Sequence, residues 1–137
     1  MLITVDPNEV REYSFPEDTD PKTVFLLGTL DARLMEHINE TTQETTVVNG
    51  KEHVKVQPSK RFMEYVRFGI KGWRNLANKA GKVEFDAPKH IQTINVPEVG
   101  ERRGLSDDAL DTLKPYFTRL GTAIWQLNML PPEETKN

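Results

Sequence analysis

The 137-residue chain has no cysteine and only three histidines. Without cysteine there is no disulfide scaffold, no thiol nucleophile and no thiolate zinc site, and a reducing compartment is the expected setting. Long apolar runs are missing as well, and nothing approaches the roughly 20 residues of a membrane-spanning helix. The opening stretch, MLITVDPNEVREYSF, has no basic segment followed by an apolar one, so no signal peptide is expected. Asn39-Glu40-Thr41 then reads as a chance glycosylation sequon. Hydrophobic residues make up only 36% of the chain, and nine prolines and eight glycines interrupt it often. That composition predicts one domain over 1–137 with a modest core, much loop and a short polar tail at 131–137. A net charge of −3 argues against a general nucleic-acid binder.

The residues that usually carry chemistry are scattered. His37, His53 and His90 fall in a predicted helix, hairpin and loop, with neither His-x-His nor HExxH spacing, so solvated histidines are expected. Ser14, Ser59 and Ser106 lie outside any GxSxG elbow. Gly69-x-x-Gly72 is not a phosphate-cradling loop. Asp107, Asp108 and Asp111 place carboxylates behind Ser106, where a helix N-terminus favours them without any cation. Glu12, Glu17, Asp18 and Asp20 read as a solvated acidic edge. No catalytic, metal or cofactor-binding residue is assigned, and an enzyme, a cofactor and a small-molecule substrate are not expected.

Periodicity predicts an α+β fold: a small, mostly antiparallel sheet with a β-hairpin over 44–57, packed against three to four helices. Short strands are expected at 2–5 and 10–15, and a doubly buried strand at 23–28. A helix follows over Asp31–Asn39, capped by Thr29 or Asp31. Thr45 to Val48 and Lys51 to Val56 flank Asn49-Gly50, the residue pair that supplies the positive φ angles of a type I′ turn. Polar residues fill much of this hairpin, so one exposed face, or projection from the body, is expected. A second helix runs over 60–68 with Gly69 ending it. Gly72-Trp73 reads as a turn, Val83-Glu84-Phe85 as a short strand, and 88–104 as loop with a strand near Ile91–Val96. Ser106 caps a helix over 107–112. The last helix, about 115–129, starts at Pro115 and stops at Pro131-Pro132. Its apolar stripe reads as core packing, because Pro115 breaks any heptad run. The expected core is Phe25, Leu27, Leu34, Ile38, Phe62, Val66, Trp73, Phe85, Leu113, Phe117, Leu120, Ile124 and Leu127.

Charge is the one uneven feature. Residues 58–82 carry seven Lys and Arg against Glu64, a net +6, which leaves −9 for the rest of the chain. Lys60, Arg61, Arg67, Lys71, Arg74 and Trp73, with Asn49 and Gly50 at the hairpin tip, form the candidate interaction surface. A basic patch with acidic ends suits copies of the chain pairing head to tail, or an acidic partner. The alternative is a nucleic-acid-binding accessory protein that uses the basic 60–82 segment around Trp73 and Tyr65. A third possibility is a solvated basic helix face with the tryptophan in the core.

Three stretches carry a resemblance to a known kind of protein. They are Thr23-Val24-Phe25-Leu26-Leu27 running through Gly28-Thr29-Leu30 into a helix, then Val66 to Asn75 (VRFGIKGWRN) with the AGKVEF segment at 80–85, and finally Leu105 to Asp111 (LSDDALD) before a proline break and a terminal helix. Together they span most of 10–130 and resemble a type of small protein encoded among the morphogenesis genes of tailed bacteriophages. The resemblance implies a head, connector, tail or assembly role, contacts with copies of itself and with other phage head and tail proteins, no membrane partner, and a location in the host cytoplasm during assembly and then in the virion. It implies no site residues. The 41–57 hairpin has no counterpart in it and is a candidate inter-subunit arm.

Overall fold

Apolar runs bounded by turn residues build the sheet. In the computed structural model, which describes residues 1–129, β1 (Val10–Tyr13) pairs antiparallel with β2 (Val24–Gly28), Tyr13 opposite Phe25. The chain continues as α1 (Ala32–Thr41), the hairpin β3 (Gln43–Val48) and β4 (Lys51–Val56), α2 (Pro58–Gly69) and β5 (Ile70–Arg74). β5 returns to β2, also antiparallel, and completes the order β1-β2-β5. A minimal hairpin of β6 (Ala77–Asn78) and β7 (Gly81–Lys82) follows, then the single turn α3 (Ala87–His90). The hairpin β8 (Ile91–Val96) and β9 (Gly100–Leu105) leads to α4 (Asp107–Leu113), a 3-10 turn at Lys114–Tyr116 and α5 (Phe117–Met129). The fold is α+β, with antiparallel pairing throughout the described sheets.

The core lies between the three-stranded sheet, α2 and α5. Val66, Leu113, Leu120 and Ile124 are fully enclosed there, with Phe25, Leu27 and Ile38 beside them. Of the expected core, Phe62, Phe85 and Phe117 are only partly buried and pack at its margin. Two glycines set how closely the helices approach. A Cβ on Gly121 would lie 2.7 Å from Cδ1 and 3.0 Å from Cα of Phe62, and one on Gly69 would lie 2.6 Å from Cγ2 of Ile124. Gly69 therefore serves helix packing and does not end α2 as a left-handed cap. The chain passes directly into β5 with Ile70 extended.

Caps fall where side-chain chemistry puts them. The Asp31 carboxylate accepts from the Leu34 amide at 3.0 Å, and Ser106 Oγ accepts from the Ala109 amide at 3.3 Å. Asn49 and Gly50 both have positive φ and close the β3–β4 turn between the partners Val48 and Lys51.

Several strand, turn and loop expectations also differ from the structure. Residues 2–5 form no strand, since they pair with no sheet edge, and Leu2 and Ile3 are exposed. Gly72-Trp73 lies within β5 instead of in a turn, because Phe25 on β2 pairs with Trp73. Val83 to Phe85 alternates in burial but stays outside the ladders, joined by the Val83 amide to the Leu76 carbonyl at 2.8 Å. Within 88–104 the strand expected near Ile91–Val96 forms as β8, but the rest, expected as loop, includes β9, whose sequence, GERRGL, hides a strand behind charged residues. The polar tail at 131–137 and its proline stop lie outside the described residues.

Candidate interaction surfaces

The basic segment divides among three elements, and its arginines are tied to the body of the protein. Arg61 on α2 donates from Nε to Thr42 Oγ1 at 3.0 Å and from Nη2 to the Asn39 carbonyl at 2.9 Å. It thereby satisfies the carbonyl end of α1, where orphaned acceptors and the helix dipole favour a cation. Arg67, two turns further on, donates to the Leu105 carbonyl and to the Asp107 carboxylate, both at 3.1 Å. Arg74 pairs with Glu12 at 2.8 Å, across the sheet on β1. Lys71 lays its stem over Gly28 and donates from Nζ to the Phe68 carbonyl at 3.0 Å. Burial of that ammonium lowers its pKa below the ordinary lysine value. Lys60 is exposed on the first turn of α2. The sequence cluster is thus spread over α2 and both ends of β5, and its guanidinium groups serve as internal clamps.

Trp73 is 3% exposed and donates its indole N–H to the Val83 carbonyl at 2.7 Å. Its ring packs edge-on against Phe85, 5.0 Å between centroids, and lies 4.9 Å from the His90 ring. It is a core residue, with no face open for a base to stack upon. Tyr65 is equally buried, and its hydroxyl donates to Asn39 Oδ1 at 2.7 Å.

His90, expected as a solvated loop histidine, is 3% exposed. Its Nδ1 accepts from the Asp86 amide at 2.9 Å, so that nitrogen carries no proton. Burial holds its pKa below the ordinary histidine value, with Lys89 acting in the same direction and Asp86 and Asp108 opposing. Asp107 stands at the start of α4 in a pair with Arg67, while Asp108 and Asp111 are exposed. Among the described residues no group of three or more His, Asp or Glu is gathered as a metal would need.

The β3–β4 hairpin is open on both faces. Cross-strand partners share a face, so the register sorts the hairpin into two sides. One carries Gln43, Thr45 and Val47 with Glu52, Val54 and Val56; the other carries Glu44, Thr46 and Val48 with Lys51, His53 and Lys55. On the first side Val47 is 67% and Val54 58% exposed. Asn49 and Gly50 form the tip. Where the hairpin joins the body, Val56 borders a groove of about 300 Å³ formed with Pro58, Arg61, Phe62, Tyr65, Thr122 and Trp125.

Trp125 is 42% exposed and was not among the residues expected to matter. Its signal was available, however. It stands one position beyond Ile124 in the stripe of Leu113, Phe117, Leu120, Ile124 and Leu127, and so falls at the flank of the buried face. A second aromatic group gathers Phe15, Phe25 and Tyr116 beside the sheet, with the Arg119 guanidinium 3.9 Å above the Phe15 ring and paired to Glu17.

No family model, no curated protein and no solved structure matches this chain.

Proposed function

We propose that this protein is a non-enzymatic structural or morphogenesis protein of a tailed bacteriophage, a head–tail connector, tail or capsid-associated component that acts through protein–protein contacts. The observation that carries the assembly reading is the β3–β4 hairpin. A two-stranded ribbon is marginal in water unless something covers it, and here its valines lie uncovered. An apolar strip continues from Val54 through Val56 to the Trp125 groove, an arrangement suited to another polypeptide. The phage setting rests on the sequence resemblance carried by residues 23–30, 66–85 and 105–111. Copies of the chain and other head and tail proteins are its partners, in the host cytoplasm and then in the virion.

The nucleic-acid reading gains little from the basic segment, whose arginines are engaged by carbonyls and carboxylates of the same chain and whose tryptophan is buried. The test of the assembly reading is co-expression of the whole chain with the head and tail proteins of one phage, followed by purification and identification of whatever remains bound. A stable complex is expected, or the chain itself in purified particles. A chain recovered alone, and absent from particles, would refute the reading.

A further inference from the structure

The two edges of the projecting hairpin are unlike. β4 places four ionisable residues among its six, Lys51, Glu52, His53 and Lys55, whereas β3 places one, Glu44. Lysine-rich edges discourage strand addition, and a β-branched edge with little charge invites it. β3 reads Gln-Glu-Thr-Thr-Val-Val, has no proline, and has no strand on its outer side among the described residues. Thr45, Thr46, Val47 and Val48 are all exposed.

We infer that β3 is the seam of a symmetric dimer, in which the β3 strands of two copies pair antiparallel about a two-fold axis at Thr46 to give the strand order β4-β3-β3-β4. This rests on the assembly reading above and names its first contact. Backbone geometry supports the register. Val48 and Lys51 flank a two-residue turn, so Val48, Thr46 and Glu44 direct their N–H and C=O groups towards β4. Gln43, Thr45 and Val47 direct theirs outward. With the axis at Thr46, each Thr45 exchanges hydrogen bonds with the other copy's Val47, which satisfies these four positions at the centre of the seam, while each Gln43 lies at its margin beside the other copy's turn. The two Thr46 residues then face one another as a non-hydrogen-bonded pair.

Side chains select the same edge. A two-fold axis perpendicular to the sheet keeps equivalent faces on the same side, so Thr45, Val47 and Val54 of both copies merge into one apolar patch. Glu44 falls opposite Val48 of the other copy, with no charge across from it. The corresponding pairing through β4 brings Lys51 against Lys55, and moving its axis to Glu52 brings Glu52 against Glu52. Like charges thus oppose one another in these β4 registers, whereas the β3 register has none.

The chain lacks cysteine, so a single introduced thiol reports on the seam without competitors. In Thr46→Cys the two Cα atoms would stand about 4.5 Å apart, within the range a disulfide spans. In the control His53→Cys, on the outer strands, they would stand about 14 Å apart at the usual strand spacing, beyond that range. Both positions are exposed, and circular dichroism establishes that each variant is folded. The expected result is rapid disulfide dimerisation of Thr46→Cys only, together with loss of wild-type self-association in Thr46→Lys, which sets two ammonium groups face to face. Self-association that persists in Thr46→Lys, without selective cross-linking at 46, overturns the seam and leaves the assembly reading standing. A wild-type chain that is monomeric at every concentration, with Thr46→Cys no faster than His53→Cys, also overturns it. The assembly reading then depends on the co-expression experiment alone.

Discussion

Gly121 on α5 packs directly on Phe62 of α2, close enough that a Cβ there would lie 3.0 Å from the Phe62 Cα. A backbone atom cannot turn aside as a side chain can, so the crossing of the two helices depends on this glycine. Gly121→Ala is therefore expected to lower stability by about 1–3 kcal/mol, although alanine is the better helix former. Gly69→Ala, which meets the enclosed Ile124 side chain, is expected to fall in the same range. Chemical denaturation of each variant measures this. Unchanged or raised stability would mean that the helices can separate at little cost.

Stability is expected to fall as the pH drops below about 6.5, the ordinary histidine value. His90 is the cause. Its folded pKa lies lower, so the unfolded chain takes up the proton first, and folding loses ground as the pH falls from the unfolded value towards the folded one. His90→Asn offers an acceptor to the Asp86 amide but cannot be protonated. Denaturation midpoints between pH 7 and pH 5 should therefore vary less in His90→Asn than in the wild type. An equal dependence in both would place the titration elsewhere.

Neutralising Arg61 or Arg67 is expected to cost stability instead of altering a binding surface. Arg61→Gln leaves the Asn39 carbonyl and Thr42 without their charged donor, and Arg67→Gln does the same to the Leu105 carbonyl. Hydrogen bonds to charged groups contribute about 1.5–3 kcal/mol each, so both variants should unfold at lower denaturant concentration. Fluorescence titration with single- and double-stranded oligonucleotides at low salt is the companion measurement. Weak binding that is unaffected by Arg67→Gln is the expected outcome. Tight binding that weakens steeply with salt and is lost in Arg67→Gln would restore the nucleic-acid reading.

Trp73→Phe keeps an aromatic ring beside Phe85 and His90 but strips the Val83 carbonyl of its donor. Leaving a buried acceptor unpaired costs about 1–3 kcal/mol. Thermal unfolding should register that loss, and a variant as stable as the wild type would show that water reaches Val83.

Elements with strong local signals were legible from the sequence. The Asn49-Gly50 turn, the Asp31 and Ser106 caps and the stripe of α5 were written in short-range chemistry, and each forms as expected. What escaped was decided by contacts distant in the chain. β9 is a strand because Gly104 and Leu105 reach the core, although Arg102 and Arg103 make the segment look like a loop. Trp73 joins β5 because β2, some fifty residues earlier, offers an edge to pair with. The positive cluster at 60–82 is dense only along the chain. Folding sends Arg61 to α1, Arg67 to α4 and Arg74 to β1, which no one-dimensional count can register. At the candidate site, exposure of the hairpin and the unequal charge of its two strands were readable from the sequence, whereas which backbone groups face outward required the register.

Sedimentation velocity of the intact chain over a rising concentration series tests the central claim most directly. A sedimentation coefficient that increases from the monomer towards the dimer, and remains that of the monomer in Thr46→Lys, is the predicted result. A single monomeric boundary throughout, from a chain that also retains no head or tail protein, would contradict the account.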